Sequence, residues 1–113
     1  MTKGDLLIVD NEVLILNKWE RFLTREGYRV QAARDIETAE MAFNERVPEL
    51  VLLDIRLEGA SGIDFCDAIR DRYPKDELPV VLITSYGRRD NNLMRRGFAA
   101  GASDFIVKPL DGD

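Results

Sequence analysis

The chain contains no histidine. Its absence excludes Ser–His and Cys–His nucleophile pairs and every histidine metal site. It also excludes a phosphohistidine donor within the chain, so phosphoryl chemistry here would have to use a carboxylate as acceptor. Cysteine is nearly absent: Cys66 stands alone, and no internal disulfide framework can form. No apolar run reaches the roughly 18 residues of a membrane span. Residues 1–5 lead straight into a short apolar run, without the apolar core and cleavage pattern of a secretory leader. Positive charge is in deficit, with 16 Lys and Arg against 21 Asp and Glu and a net charge of -5. That balance argues against direct nucleic acid binding by this domain. Together these absences point to the cytoplasm and away from a membrane.

What remains is ordinary soluble composition, 45% hydrophobic and 33% charged. A chain of 113 residues is one small domain, read here as spanning 1–113. Five short apolar runs alternate with helical patterns. Leu6–Val9, Tyr28–Ala32, Leu50–Leu53, Val80–Thr84 and Phe105–Val107 read as strands. Apart from the second they are continuous rather than alternating, as parallel strands covered on both faces should be. Ile15, Trp19, Phe22 and Leu23 mark a first helix that stops at Gly27. Asp35 can cap a second with Ala39, Ala42 and Phe43 inward, and Ser61 a third with Phe65, Cys66 and Ile69. A fourth, around Asp90 to Ala100, carries Leu93, Met94, Gly97 and Phe98. The βαβαβαβαβ order predicts an open, doubly wound parallel sheet, with its site at the carboxyl ends of the strands. Only six residues follow Val107, so a fifth helix is expected to be absent. One sheet face should then be covered mainly by the first helix, and the chain reads as the N-terminal part of a longer protein.

The carboxyl ends are where the chemistry collects. Asp10-Asn11, Asp54, Thr84 and Lys108 each end or follow a strand. Each has a bland alternative: Asp10 or Asn11 as a helix cap, Thr84 as a β-former, Lys108 as a solvated cation. Asp54 resists that treatment best, because it ends a strand that reads as buried. Two carboxylates and an amide oxygen make a hard-oxygen site suited to Mg²⁺ or Mn²⁺. Such a cation neutralises an incoming phosphoryl group and presents it in line to a carboxylate. Thr84 could bond one phosphoryl oxygen and Lys108 pair another, with Pro109 restricting Lys108 to extended geometry.

Over nearly its whole length the chain resembles the receiver domain of two-component response regulators. The residues that carry the resemblance are Ile8-Val-Asp10-Asn11-Glu12, Leu52-Leu-Asp54-Ile55 with Gly62 eight positions on, Ile83-Thr84-Ser85, and the run from Gly101 to Pro109. The resemblance implies a flavodoxin-like strand order 2-1-3-4-5. It implies a phosphoacceptor switch in a phosphorelay, phosphorylated on Asp54 in a Mg²⁺-dependent reaction, and not otherwise an enzyme. The cation would be held by Asp54, Asn11 and the backbone carbonyl of Arg56, with Asp10 acting through water. Phe105 would be the aromatic switch coupled to Thr84. The implied partners are a sensor histidine kinase or phosphotransfer domain and an output domain or effector protein, with homodimerisation open.

The sequence departs from that pattern in ways that set expectations. Asn11 stands where a second direct acidic ligand is usual. With Asn11 neutral and Glu12 expected to point elsewhere, only the Asp10–Asp54 repulsion remains. The empty site should then be less strained and bind Mg²⁺ more weakly. Glu58 replaces a proline, and Arg56 and Tyr86 are large residues flanking the phosphoryl position, where they could shield it from water. Phe105 lacks a tyrosine's hydroxyl, so its switch would work by packing. Arg88, Arg89, Arg95 and Arg96 form either a solvated face or a docking patch for an acidic partner. Cys66 and Trp19 read as packing residues. The alternative function is a pseudo-receiver that binds partners without phosphorylation. A haloacid-dehalogenase-type phosphatase needs an Asp where Arg56 stands, and neither a dinucleotide glycine motif nor a Walker loop is present.

Overall fold

The continuous apolar runs at 6–9, 50–53 and 80–84 become central strands covered on both faces, whereas 105–107 forms an edge strand with Ile106 and Val107 exposed. The computed structural model describes residues 2–84 and 91–108. Its elements follow in chain order as β1 (Asp5–Val9), α1 (Val13–Arg25), β2 (Arg29–Ala33), α2 (Ile36–Glu45), β3 (Leu50–Asp54), α3 (Gly62–Arg70), β4 (Val80–Thr84), α4 (Asn91–Ala99) and β5 (Asp104–Val107). The strands pair in parallel in the order β2-β1-β3-β4-β5. This is the expected doubly wound sheet. The chain direction across it reverses between β1 and β3, so their carboxyl ends flank the crevice where ligands bind in such sheets.

Side-chain alternation splits the core in two. Leu7, Val9, Val51, Leu53, Val80 and Leu82 meet α2 and α3 through Ala39, Phe43, Phe65, Cys66 and Ile69. Ile8, Leu52 and Ile83 meet α1 through Leu16, with Trp19 and Leu23 packed beside them. The second cluster is smaller, and Ile106 on β5 remains 37% exposed. The residues that decide whether a fifth helix exists, together with Ser85, Tyr86, Arg88, Arg89 and Pro109, lie outside the described residues.

Local chemistry sets the boundaries. Asp35 caps α2 by accepting the Thr38 N–H at 2.8 Å. The Thr38 side-chain hydroxyl first, and then this backbone bond, hold the Asp35 carboxyl below its ordinary pKa. Ser61 Oγ accepts the Ile63 N–H at 3.1 Å and caps α3. Strand β2 begins one residue later than the sequence suggested. Tyr28 still donates its N–H to Leu23 O at 3.1 Å as part of the α1 exit turn. Arg29 is the first residue to bond across, to Gly4 O at 2.9 Å. The α1 stripe also needs correction: Leu16 is buried, whereas Phe22 is 55% exposed. Residues 16, 19 and 23 and residues 15, 19 and 22 both satisfy helical spacing. Trp19 and Leu23 pack toward Ile8 and Leu52 as expected, and Leu16, rather than Ile15 or Phe22, completes that face. Arg56–Leu57 and Ala60–Ser61 form a small antiparallel hairpin that periodicity did not reveal. Gly59, at φ 70°, makes its turn.

Candidate functional site

Among the described residues, the buried polar or charged side chains are Asp10, Asp54, Thr84 and Lys108. All four stand at the carboxyl edge of the sheet. Asp10 follows β1, Asp54 ends β3, Thr84 ends β4 and Lys108 follows β5. Strand register holds them together: Asp54 pairs with Ile83, and Thr84 pairs with Val107. The Lys108 N–H donates to Thr84 O at 2.8 Å, continuing the ladder one step beyond β5.

Lys108 Nζ is the hub. It donates to Asp54 Oδ2 at 3.0 Å and to Asp10 Oδ1 at 3.4 Å. It also donates to Glu12 Oε1. The second Asp10 oxygen, Oδ2, lies 3.2 Å from Lys108 Nζ. It nevertheless has no partner of hydrogen-bond geometry and is buried. A buried carboxylate oxygen left in that state is costly unless something else meets it. Two backbone amides organise the acids. Glu12 N–H donates to Asp10 Oδ1 at 2.9 Å, and Arg56 N–H donates to Asp54 Oδ1 at 3.2 Å.

The loop after Asp54 is held by close approach. Gly62 N–H donates to Ile55 O at 2.8 Å. A Cβ at Gly62 would fall 2.1 Å from the Asp54 carbonyl oxygen. Any other residue there would push apart the start of α3 and the segment that carries Asp54. Above lies an open cavity of about 330 Å³ lined by Asn11, Glu12, Asp54, Arg56, Glu58 and Lys108 among others.

Burial pushes the Asp54 carboxyl up to about 6; Lys108 opposes the shift and Asp10 adds to it. Burial works the other way on Lys108, but its hydrogen bonds to Glu12 and Asp54 outweigh it and hold the ammonium above its usual value. The cation thus stays charged, while Asp54 is a carboxylate whose ionisation is resisted.

The expectation for Glu12 is overturned. It points into the site, bonds Lys108, and its carboxylate lies with those of Asp10 and Asp54 within 4.8 Å of one another. The site therefore holds three mutually repelling acids rather than two, and the relief expected from Asn11 is cancelled. Residue 12 is also the N-cap of α1, but its side chain makes no cap bond. Neither Asp10 nor Asn11 takes that cap position. Asn11 is exposed at the cavity rim.

Phe105 shares the face of Leu82, its register partner, and of Thr84 two residues on. Its ring meets Phe98 edge-on, with centroids 4.9 Å apart. A Cβ at Gly97 would come within 2.4 Å of that ring, so the α4 glycine makes its space. Arg95 and Arg96 are exposed on α4. Cys66 is fully buried, and burial raises its thiol pKa, as suits a packing residue. No helix among the described residues is long and apolar enough to cross a membrane.

The chain matches the response regulator receiver domain over residues 6–113. It is 34% identical over 105 residues to the phosphate regulon transcriptional regulatory protein PhoB of Rhizobium meliloti (strain 1021), covering 93% of this chain and 45% of that protein. It is 35% identical over 106 residues to the response regulator PleD of Caulobacter vibrioides (strain NA1000 / CB15N), covering 94% of this chain and 23% of that protein. The chain thus spans less than half the length of either relative. The crystal structure of the receiver domain of NtrX from Brucella abortus superposes with a TM-score of 0.82 at 38% identity, covering 96% of this chain and 89% of that one. With the fold, the register at its carboxyl edge and these likenesses in agreement, the chain belongs to the response regulator receiver domain family.

Proposed function

We propose that this domain is a cytoplasmic phosphoacceptor switch in a two-component phosphorelay, with Asp54 as the acceptor. The observation that carries the reading is the bond from Lys108 Nζ to Asp54 Oδ2, made beside Asp10 and Glu12 at the one buried polar cluster among the described residues. The donor would be a sensor histidine kinase or a phosphotransfer domain. An Asp54 oxygen attacks phosphorus, the P–N bond to the donor imidazole breaks, and the freed nitrogen leaves with the bonding pair. An acyl phosphate on Asp54 is the product. Lys108 pairs with a phosphoryl oxygen as a compact charge, and the Thr84 hydroxyl bonds another.

The donor set fits a hard divalent cation. The carboxylates of Asp10, Glu12 and Asp54 lie within 4.8 Å of one another, and buried Asp10 Oδ2 lacks a hydrogen-bond partner. Mg²⁺, or Mn²⁺, would supply charge neutralisation for the incoming phosphoryl group. Asp54, Asn11 and the Arg56 carbonyl are proposed to hold it, with Asp10 acting through water. Phe105, packed between Phe98 and the space left by Gly97, is the proposed relay from Thr84 to the α4 face. An output domain or effector protein would read that face, where Arg95 and Arg96 offer positive charge to an acidic surface.

Beryllofluoride with millimolar Mg²⁺ tests the reading, monitored by amide chemical shifts. The expected result is a concerted shift of resonances from β4, α4 and β5 that is lost in Asp54→Asn. Spectra that do not change at saturating Mg²⁺ and beryllofluoride would favour the pseudo-receiver instead.

A further inference from the structure

We infer that Glu12 is the third charged residue of the cation site, supplying the charge that Asn11 lacks. The inference rests on the cation site proposed above and concerns which side chain completes it. Three observations support it. The Glu12 carboxylate lies within the 4.8 Å cluster that includes Asp10 and Asp54. Its side chain is not spent on capping α1, although it occupies the cap position. Asp10 Oδ2, fully buried in the same cluster, lies 3.2 Å from Lys108 Nζ but makes no hydrogen bond, which leaves an acceptor for a cation or its water.

Charge matching gives the reason. Asp10 and Asp54 against Lys108 leave one net negative charge, which undercompensates a dication. With Glu12 the cluster reaches two, the charge a dication neutralises. The N-cap residue of α1, one position after Asn11, thus does the electrostatic work of the missing acid at position 11. The present bond from Lys108 to Glu12 gives this carboxylate a second role. If a bound cation held Glu12, Lys108 would have an ammonium donor to spare beside Asp54 for an incoming phosphoryl oxygen.

The test is a Mn²⁺ titration followed by electron paramagnetic resonance on the unphosphorylated domain, which reads binding without reading phosphorylation. Glu12→Gln keeps the exposed side chain's size and removes its charge. It should weaken Mn²⁺ binding at least roughly tenfold. Adding Asn11→Asp to Glu12→Gln should restore affinity to within a few-fold of the original chain, because it returns the charge to the neighbouring position. Affinity unchanged in Glu12→Gln, with the original chain binding Mn²⁺ and Asp54→Asn losing it, would overturn this inference and leave the cation site standing. Absence of Mn²⁺ binding by the original chain would overturn both. Far-UV circular dichroism of each variant confirms that the comparison is between folded domains.

Discussion

Two cationic side chains organise opposite edges of the sheet, and they do so differently. At the amino edge, Arg70 from the end of α3 donates to Gly101 O at 2.8 Å, Leu78 O at 2.7 Å and Tyr73 O at 3.1 Å. Its remaining nitrogen reaches Ser103 Oγ at 3.5 Å, and that hydroxyl accepts the Val80 N–H at 3.1 Å. The guanidinium thereby ties together the loops that lead into β4 and β5, and its acceptors are neutral. At the carboxyl edge, Lys108 faces three carboxylates that repel one another, one of which keeps a buried oxygen without a hydrogen bond. The first network meets neutral acceptors with four of its five N–H donors and is local in purpose. The second is charged beyond what one ammonium can balance. A polar network left incomplete within a well-packed core marks the place where a ligand supplies the remainder.

The largest expected effect comes from removing the overloaded cation. Lys108→Met should destabilise the domain by about 3–5 kcal/mol in urea unfolding, because three carboxylates are left without their counter-charge. Millimolar Mg²⁺ should restore part of the loss, since a dication can take the ammonium's place among the acids. Arg70→Ala should cost about 2–3 kcal/mol through the carbonyls it leaves unpaired. Mg²⁺ should return none of that loss, which separates the two edges in one experiment.

Asp54→Asn should act in the opposite direction. The folded state holds the Asp54 proton up to about pH 6, whereas an unfolded aspartate releases it near 3.9. Between those values the folded chain binds more protons than the unfolded one. This carboxyl's contribution to stability is therefore fullest below about pH 4 and is lost as pH rises through about 6. Solvent in the open cavity screens the effect, leaving a gain of about 1–2 kcal/mol for Asp54→Asn at pH 7 without cation. The gap between variant and original chain should close below about pH 4 in thermal melts, and a gap that stays constant would remove burial as its cause. The smallest effect belongs to the exposed face of α1, in contrast to its buried face. Leu14 is 81% exposed, and Leu14→Ala should change stability by less than about 0.5 kcal/mol. Leu16→Ala should cost about 2–5 kcal/mol because Leu16 fills the α1-side core.

What was legible in the sequence follows from which signals are periodic. Continuous apolar runs marked the strands, and the order in which they alternate with helices led to the parallel sheet. The sheet then places Asp10, Asp54, Thr84 and Lys108 at one edge by topology alone. Glu12 escaped because it lies at a strand-to-helix junction, where the backbone is still extended (φ -87°, ψ 100°) but no strand partner marks its register. The Asx-type bond from its N–H to Asp10 shapes that junction. The available clue was that a residue at a cap position carried an acid one step after a missing acid. Arg70 left no trace because its acceptors are backbone carbonyls, which every residue possesses. The choice between Leu16 and Phe22 on α1 depended on which of two equally spaced stripes meets Ile8 and Leu52, and tertiary packing decides it.

The central claim is that Asp54 accepts a phosphoryl group in a cation-dependent step. Intact-mass measurement after incubation with acetyl phosphate tests it directly, with Mg²⁺ present or chelated. The account predicts one phosphoryl increment that requires Mg²⁺, is lost on hydroxylamine treatment and is absent from Asp54→Asn. An increment that persists in Asp54→Asn, or no increment at millimolar Mg²⁺, would contradict it.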